Sequence, residues 1–489
     1  MSRLETLEAV PAVGVARAAL GGAGGAWIVG GAIRDAALGR PVVDLDLALA
    51  GDPAAVARSI AAAASGPAFE LSAEFGSWRA QARDRSWHVD VSRLRAPSIE
   101  EDLALRDFTA NALATPLAEI GAPPLDPTGG LADINGRVLR AASPRSIADD
   151  PLRILRAARL GAELGFEIDP DTVELARAEA SRAGEPAGER QLAELRLLVA
   201  GPQPLRGLQL LDHLEATGAV LPELAALRGV EQNPNHHLDV HEHTMLVLEN
   251  LLEVECDLDR YAGAAAADVR ALLAEPLADE LTRGDALRFG ALLHDTGKPA
   301  TRAEQPGGFV SFLGHDRVGA EIVRGACARL KASRALSRHL EGLTLHHLHL
   351  GFMTHERPLS RRRLYEYLKT CEPVAADVTL LTVADRLAAR GEGPTATPEI
   401  ISAHLELARE VLPAALAWHN EGRPRAPIAG DELAAAIGIE PGPELGRLLA
   451  EIEAAVFTGE VKSRDDAIQL AYDLVRPAGT GREAEDPGG

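Results

Sequence analysis

Asp44 and Asp46 stand two residues apart in the run Val43-Asp44-Leu45-Asp46-Leu47-Ala48-Leu49. On an extended strand that spacing turns both carboxylates to one face. Leu45, Leu47 and Leu49 then turn to the other face, which reads as core. Paired carboxylates repel and resist ionising together unless a cation sits between them. A pair of Mg²⁺ ions does that work in nucleotidyl transfer: one activates the attacking hydroxyl, the other holds the triphosphate. Gly30 and Gly31 precede an expected helix, where bare backbone can approach a phosphate closely. Residues 28–52 therefore read as one strand–helix–strand unit.

A further carboxylate lies in Ser86-Trp87-His88-Val89-Asp90-Val91-Ser92. Trp87, Val89 and Val91 alternate with His88, Asp90 and Ser92, which leaves Asp90 on the polar face of its strand. It is a candidate third catalytic group, as general base or metal ligand; a surface Asp on a half-exposed strand is the other reading.

Gly30-Gly31, Arg34-Asp35 and the Asp44/Asp46 pair together resemble the signature of the polymerase-β-type nucleotidyltransferases. More narrowly they resemble the class II branch of CCA-adding enzymes and bacterial poly(A) polymerases, which carries GG-x-x-R-D followed by D-x-D. The resemblance implies that Asp44 and Asp46 hold Mg²⁺ and that Gly30, Gly31 and Arg34 cradle a triphosphate. Residues 106–113, RDFTANAL, are similar to the branch's R-R-D-F-T-x-N-A segment. By carry-over Arg106 meets the triphosphate, and Asp107 and Asn111 help bind the ribose. Leu105 stands where the branch often has its first arginine. Residues 149–159, DDPLRILRAAR, resemble the branch's E-D-x-x-R template motif, with Asp149 in place of Glu. Asp150 and Arg153, three apart on an expected helix opened by Pro151, would share a face. Asp150 could accept from the exocyclic amine common to C and A while Arg153 donates to a ring nitrogen; a plain intrahelical ion pair is the alternative. Arg156 joins the nucleotide-binding set, and ERQLAEL (189–195) resembles the helix motif that supports it.

Farther on come HHLDVHEHT (236–244), LLHDTGKP (292–299), GHDRVGA (314–320), HHLH (346–349) and VADRLAARG (383–391). This ordered series resembles the HD phosphohydrolase superfamily. It implies His241, His294, Asp295 and Asp385 as ligands of a divalent ion, transition metals included, with His315 and His346 or His347 extending the site to two metals. Such a centre would hydrolyse a phosphate ester. His236, His237 and His243 read as exposed or capping residues.

The elements that must position these groups change character along the chain. From about 26 to 140, short alternating runs separated by Gly, Pro and charge suggest a small sheet with a few helices; from about 146 the spacing is helical. The fold class expected is α+β: a small polymerase-β-type head, then an extended all-α body containing an HD-type domain. The boundaries expected are a head at 1–140, a helical neck at 141–229 with template and RNA-binding region, an HD domain at 230–395 after which GEGPTATP (391–398) reads as linker, a helical segment at 396–477, and a disordered tail at 478–489. The chain has 489 residues, three widely spaced cysteines and a net charge of −22. That charge argues against indiscriminate coating of nucleic acid. Local arginine clusters, first among them Arg140, Arg145, Arg153, Arg156 and Arg159, are candidate RNA tracks. No apolar run is long enough to span a bilayer and no signal-peptide pattern opens the chain, so a cytoplasmic protein without a membrane partner is expected. The resemblance implies tRNA, CTP and ATP as partners and CCA addition as the reaction. Poly(A) synthesis, or CC-only or A-only addition, stays open, as does an HD phosphodiesterase whose head only binds RNA. The acidic tail favours tRNA over mRNA.

Overall fold

The computed structural model describes residues 3–21, 25–72, 76–306 and 309–475; the expected disordered tail lies outside the described residues. Two compact units divide the chain, Met1–Ala225 and Ala226–Gly489.

In the first unit, six strands among the described residues form one mixed sheet: β1 (Ala26–Val29), β2 (Leu45–Leu49), β3 (Ala68–Ser72), β4 (Ser77–Gln81), β5 (His88–Arg93) and β6 (Ala114–Pro116), in the order β3-β4-β5-β2-β1-β6. The β2–β5 pairing is parallel and sets Asp46 opposite Asp90. The β1–β2 pairing is antiparallel and sets Val29, just before the double glycine, opposite Asp46. Alternation holds as expected: Leu45, Leu47 and Leu49 are buried at 4% exposure or less, and Val89 and Val91 are fully buried. Burying one face of β2 fixes its register, because a slip by one residue would put both aspartates into the core. Helix Gly31–Leu38 follows β1 directly, and Asp52 caps helix Pro53–Ala63, with Pro53 in its first turn. Helices dominate after the sheet, including Leu152–Leu164 and Gly188–Ala200, which pack on one another.

The second unit is largely helical. Helix Val240–Cys256, capped by Asp239, packs on Arg283–Leu293 and Ala375–Ala388; His315–Arg329 packs on Arg334–His346. A capping box of Thr282 and Asp285 starts the Arg283 helix. The body is not purely helical: short strand pairs Pro276–Ala278 with Leu281–Thr282, and Ala303–Gln305 with Phe309–Ser311, interrupt it. Such two- and three-residue strands are too short to leave a periodic trace in sequence. The segment read as a linker is pinned. Gly391 and Gly393 donate to the carbonyls of Asn235 and Pro234, and a Cβ on Gly391 would fall 2.2 Å from the Pro234 oxygen. Glycine here serves a close approach rather than slack. Helices Gly430–Ile437, Pro443–Thr458 and Arg464–Val475 close a separate apolar cluster around Leu433, Ile452, Ala467 and Ala471. Among the described residues no helix is long and apolar enough to cross a membrane.

Candidate functional sites

The sheet face bearing Asp44, Asp46 and Asp90 holds the first candidate site. Gly30 has φ +73° and lies where a Cβ would come within 3.4 Å of both the Asp46 carboxylate and the Arg106 guanidinium. Any side chain there would be strained and would fill the space between these groups. Asp46 has the environment that demands a cation. Although the Asp46 side chain is exposed, the protein atoms crowding its carboxyl, then the charge of Asp90, push its pKa up to about 6, against the pull of Arg106 and His88. Asp44 also meets a burial penalty, but hydrogen bonds and charge from His88 more than offset it and lower its pKa. The His88 ring sits 2.7 Å from Asp44 and 3.9 Å from Asp90. Both oxygens of Asp90 accept from Arg79, at 2.7 and 2.8 Å. The resting position of Asp90 is therefore a cross-strand ion pair beside the Asp44/Asp46 pair.

A cavity of about 1030 Å³ opens from Gly30, Gly31, Arg34 and Asp46 past Arg106, Asp107 and Asn111 to Asp150, Arg153 and Arg156. Asp44 and Asp90 are not part of its lining. Arg34 donates to Asp35 and, at 2.7 Å, to Asn111 Oδ1, while Asn111 donates to Asp107. Asp107 is nearly buried, which raises its pKa, yet the Arg156 charge, the Phe108 amide and Asn111 together hold it down at about 2. Arg156 bridges Asp107 and Glu194, and Arg159 binds the other oxygen of Glu194. Glu194 belongs to the helix motif noted in the sequence, and this network ties that helix to the cleft floor.

Asp150 and Arg153 do not pair with each other. Asp150 has extended backbone ahead of helix Leu152–Leu164, and its carboxylate accepts from Arg190 at 2.7 Å. Arg153, 9% exposed, donates to the carbonyls of Leu105 and Arg106 and to Ser146. Leu105, 45% exposed, is part of the lining. Sequence reasoning missed Arg93, Arg95 and Arg190. Arg93 and Arg95 are exposed and line the same cavity from the end of β5, two residues apart as strand periodicity requires. That R-x-R after an alternating strand was the available signal. The arginine track proposed from sequence is mostly committed within the fold: Arg140 to Asp133 and Asp169, Arg145 to Asp149, Arg156 and Arg159 to Glu194.

The second candidate site is a buried cluster in the other unit. His294, His315 and His347 each donate Nδ1–H to the carbonyl three residues earlier: Ala291, Phe312 and Thr344. A carbonyl can only accept, so in the neutral ring each Nε2 carries a lone pair and points inward. The His315 and His347 Nε2 atoms face each other at 3.2 Å. Around them Asp295 lies 3.1 Å from His294, 3.4 Å from His315 and 3.8 Å from His347, with Lys298 Nζ at 2.7 Å. His243 Nε2 meets Asp385 at 3.0 Å and Asp295 at 3.7 Å. Burial, then the His294 charge, keep His347 neutral, with a pKa near 3. Opposed lone pairs in a buried setting with two carboxylates make a donor set that fits a divalent ion of the transition series.

Three sequence expectations are corrected here. His241 is outside the cluster and His243 is in it: both sit on helix Val240–Cys256, and two residues on a helix turn about 200°, so only one can face Asp385. His243, expected to be exposed or capping, is 1% exposed. Of the pair His346 and His347, the cluster takes His347.

Comparison with known proteins follows this division. Residues 26–140 match the model of the poly A polymerase head domain, 165–227 that of a probable RNA and SrmB-binding site of polymerase A, 240–390 that of the HD domain, and 426–471 that of a putative tRNA nucleotidyltransferase domain 2. The chain is 37% identical to the A-adding tRNA nucleotidyltransferase of Deinococcus radiodurans, covering 91% of this chain and 94% of that one. It is 33% identical to the CC-adding tRNA nucleotidyltransferase of Thermus thermophilus, over 90% and 92%. It is 31% identical to the multifunctional CCA protein of Xanthomonas campestris, over 88% and 97%. In fold it is similar to a CCA-adding enzyme in complex with ATP (TM-score 0.61, 19% identity, 95% or more of both chains) and to the Thermotoga maritima CCA-adding enzyme complexed with tRNA (TM-score 0.56, 18% identity, 96% of both). With motifs, fold and full-length relatives in agreement, the chain belongs to the class II tRNA nucleotidyltransferase and poly(A) polymerase family and carries an HD domain.

Proposed function

We propose that this chain builds the 3′ CCA end of tRNA from CTP and ATP without a nucleic-acid template. The observation that carries the reading is the placement of Asp46 and Arg106 against Gly30 at one end of a cavity whose other end holds Asp150 and Arg153. Asp44 and Asp46 would hold Mg²⁺, and the raised pKa of Asp46 fits a site that a cation completes. Bound there, Mg²⁺ supplies activation of the tRNA 3′ hydroxyl and charge neutralisation of the triphosphate. Gly30 and Gly31 leave room for phosphate oxygens, and Arg34 and Arg106 offer planar forks that match them. Arg93 and Arg95 stand where they could replace the contact missing at Leu105. Asp107 and Asn111, locked by Arg156 and Arg34, set the ribose position. Asp150 accepts from the base, and Arg153 donates with the N–H groups its carbonyl contacts leave over. Those same carbonyls belong to Leu105 and Arg106, so base recognition is tied mechanically to the triphosphate contact. In this reading the head spans 1–140, the neck 141–229, the HD domain 230–395 and a C-terminal helical segment 396–477.

A second reading, addition of A alone, is favoured by the 37% identity to an A-adding enzyme. The test is extension of a tRNA transcript lacking CCA, resolved at single-nucleotide length. Growth by three residues only with CTP and ATP together supports CCA synthesis. Extension only of a transcript already ending in CC supports the second reading. A stop after two C residues, or a long ladder with ATP alone, overturns both.

For the HD domain we propose a metal-dependent phosphohydrolase centre held by His243, His294, Asp295, His315, His347 and Asp385, with Lys298 beside it for a phosphate oxygen. Hydrolysis of a phosphodiester across a panel of divalent ions tests it; no turnover with any of them overturns it.

A further inference from the structure

The histidine that the HD cluster leaves out has partners of its own. Helix Arg334–His346 ends at a turn formed by His347 and Leu348, and a short helix, His349–Phe352, begins on its far side. His347 faces Asp295; His346 and His349, three residues apart, meet each other instead. Their rings are edge-on, with centroids 5.2 Å apart and planes inclined by 69°. Cys371, which ends helix Arg361–Thr370, is fully buried beside them. One ring nitrogen from each histidine and the Cys371 sulfur all lie within 4.8 Å of one another. Nδ1 of both imidazoles is buried without a hydrogen-bond partner. Two orphaned ring nitrogens side by side cost free energy that a ligand between them would recover.

We propose that His346, His349 and Cys371 form a second metal site, distinct from the HD cluster, for a thiophilic d¹⁰ cation, Zn²⁺ or Cu⁺. The donor chemistry separates the two sites. The HD cluster offers imidazole and carboxylate, which suit a borderline or harder divalent ion; this one offers imidazole and a cysteine sulfur, whose thiol proton leaves as the ion binds, with no carboxylate among its three ligands. Both histidines are only half-buried, so an ion can enter and a water can complete its coordination. Because His347 joins the two sites through one turn, an ion held by His346 and His349 would also stiffen the backbone that aims His347 at Asp295.

Co²⁺ titration of the reduced full-length protein tests this directly, because a thiolate ligand produces a near-ultraviolet charge-transfer band and the HD cluster contains no cysteine. The band should develop in the wild type and in Asp385→Asn, and persist in Cys256→Ser and Cys327→Ser. It should vanish in Cys371→Ser while Co²⁺ still binds at the HD cluster. His349→Gln, at a half-exposed position where folding is not at stake, should weaken the Co²⁺ affinity of the band at least tenfold. Displacement by Zn²⁺ in one arm and by Cu⁺ under anaerobic conditions in the other identifies the preferred ion. A wild type without the band, or a band that survives in folded Cys371→Ser or is unmoved in His349→Gln, overturns the proposal.

Discussion

The two candidate sites are assembled in opposite ways. The cleft site draws its carboxylates from neighbouring strands and its phosphate contact from the turn beside them, so residues 30–46 carry most of its geometry. The HD cluster gathers His243, His294, Asp295, His315, His347 and Asp385 from helices and the turns that end them, spread over 142 residues of sequence. On a strand the side-chain direction follows parity, so local spacing says which face a group takes. On a helix a shift of one residue turns a side chain by about 100°, and only packing decides which of two nearby histidines faces inward. The first site is therefore robust to reading from sequence, and the second is prone to off-by-one errors. The corrected assignment, His241 for His243, is of that kind, and so is the choice left open between His346 and His347.

Substitutions can break the comparison, from the largest expected effect down. Asp46→Ala should reduce nucleotide addition by about a thousandfold, ~4 kcal/mol of transition-state stabilisation, while metal binding at the HD cluster is untouched. An equal loss at both sites would mean that the two are not independent. His294→Ala should weaken divalent-metal affinity of the HD cluster by about a hundredfold or more and spare tRNA extension. His243→Ala should behave like it and His241→Ala should not, as read by metal content after dialysis. Arg156→Met leaves Asp107 and Glu194 without their shared cation and should cost about 2–3 kcal/mol in denaturant unfolding of the first unit.

The same network carries a pH signature. Asp107 has its pKa lowered from 3.8 to about 2 in the fold, so its contribution is complete above pH 3.8 and is lost as pH falls through about 2. Acid unfolding of the wild type should show this added steepness, and Arg156→Met should lack it. Asp46 runs the other way: its raised pKa means that ionising it opposes folding as pH climbs from 3.8 towards 6. Asp46→Asn, inactive, should therefore be more stable than wild type at pH 7 without Mg²⁺, by about 1 kcal/mol once solvent at the cleft is allowed for. Added Mg²⁺ should raise the melting temperature of the wild type more than that of Asp46→Asn; equal rises in the two would sink the assignment of Asp46 as a ligand.

Much of the molecule was legible in the chain itself. Alternation in Asp44–Leu49 and Trp87–Ser92 placed the aspartates on one face of a sheet and the leucines in its core, because a strand has a period of two whatever surrounds it. The change from short runs to helical spacing after residue 146 marked the body. What the sequence alone could not decide lies in contacts between distant residues. Arg153 spends its donors on the Leu105 and Arg106 carbonyls, and Asp150 pairs with Arg190 rather than with Arg153. The glycine-rich segment at 391–398 is pinned to Asn235 and Pro234 although its composition is that of a spacer. His346 and His347, adjacent in sequence, face different sets of ligands because a helix ends between them. In each case the residue types were plain. Their partners were set by the packing of segments 40 to 160 residues apart, and no local period encodes that.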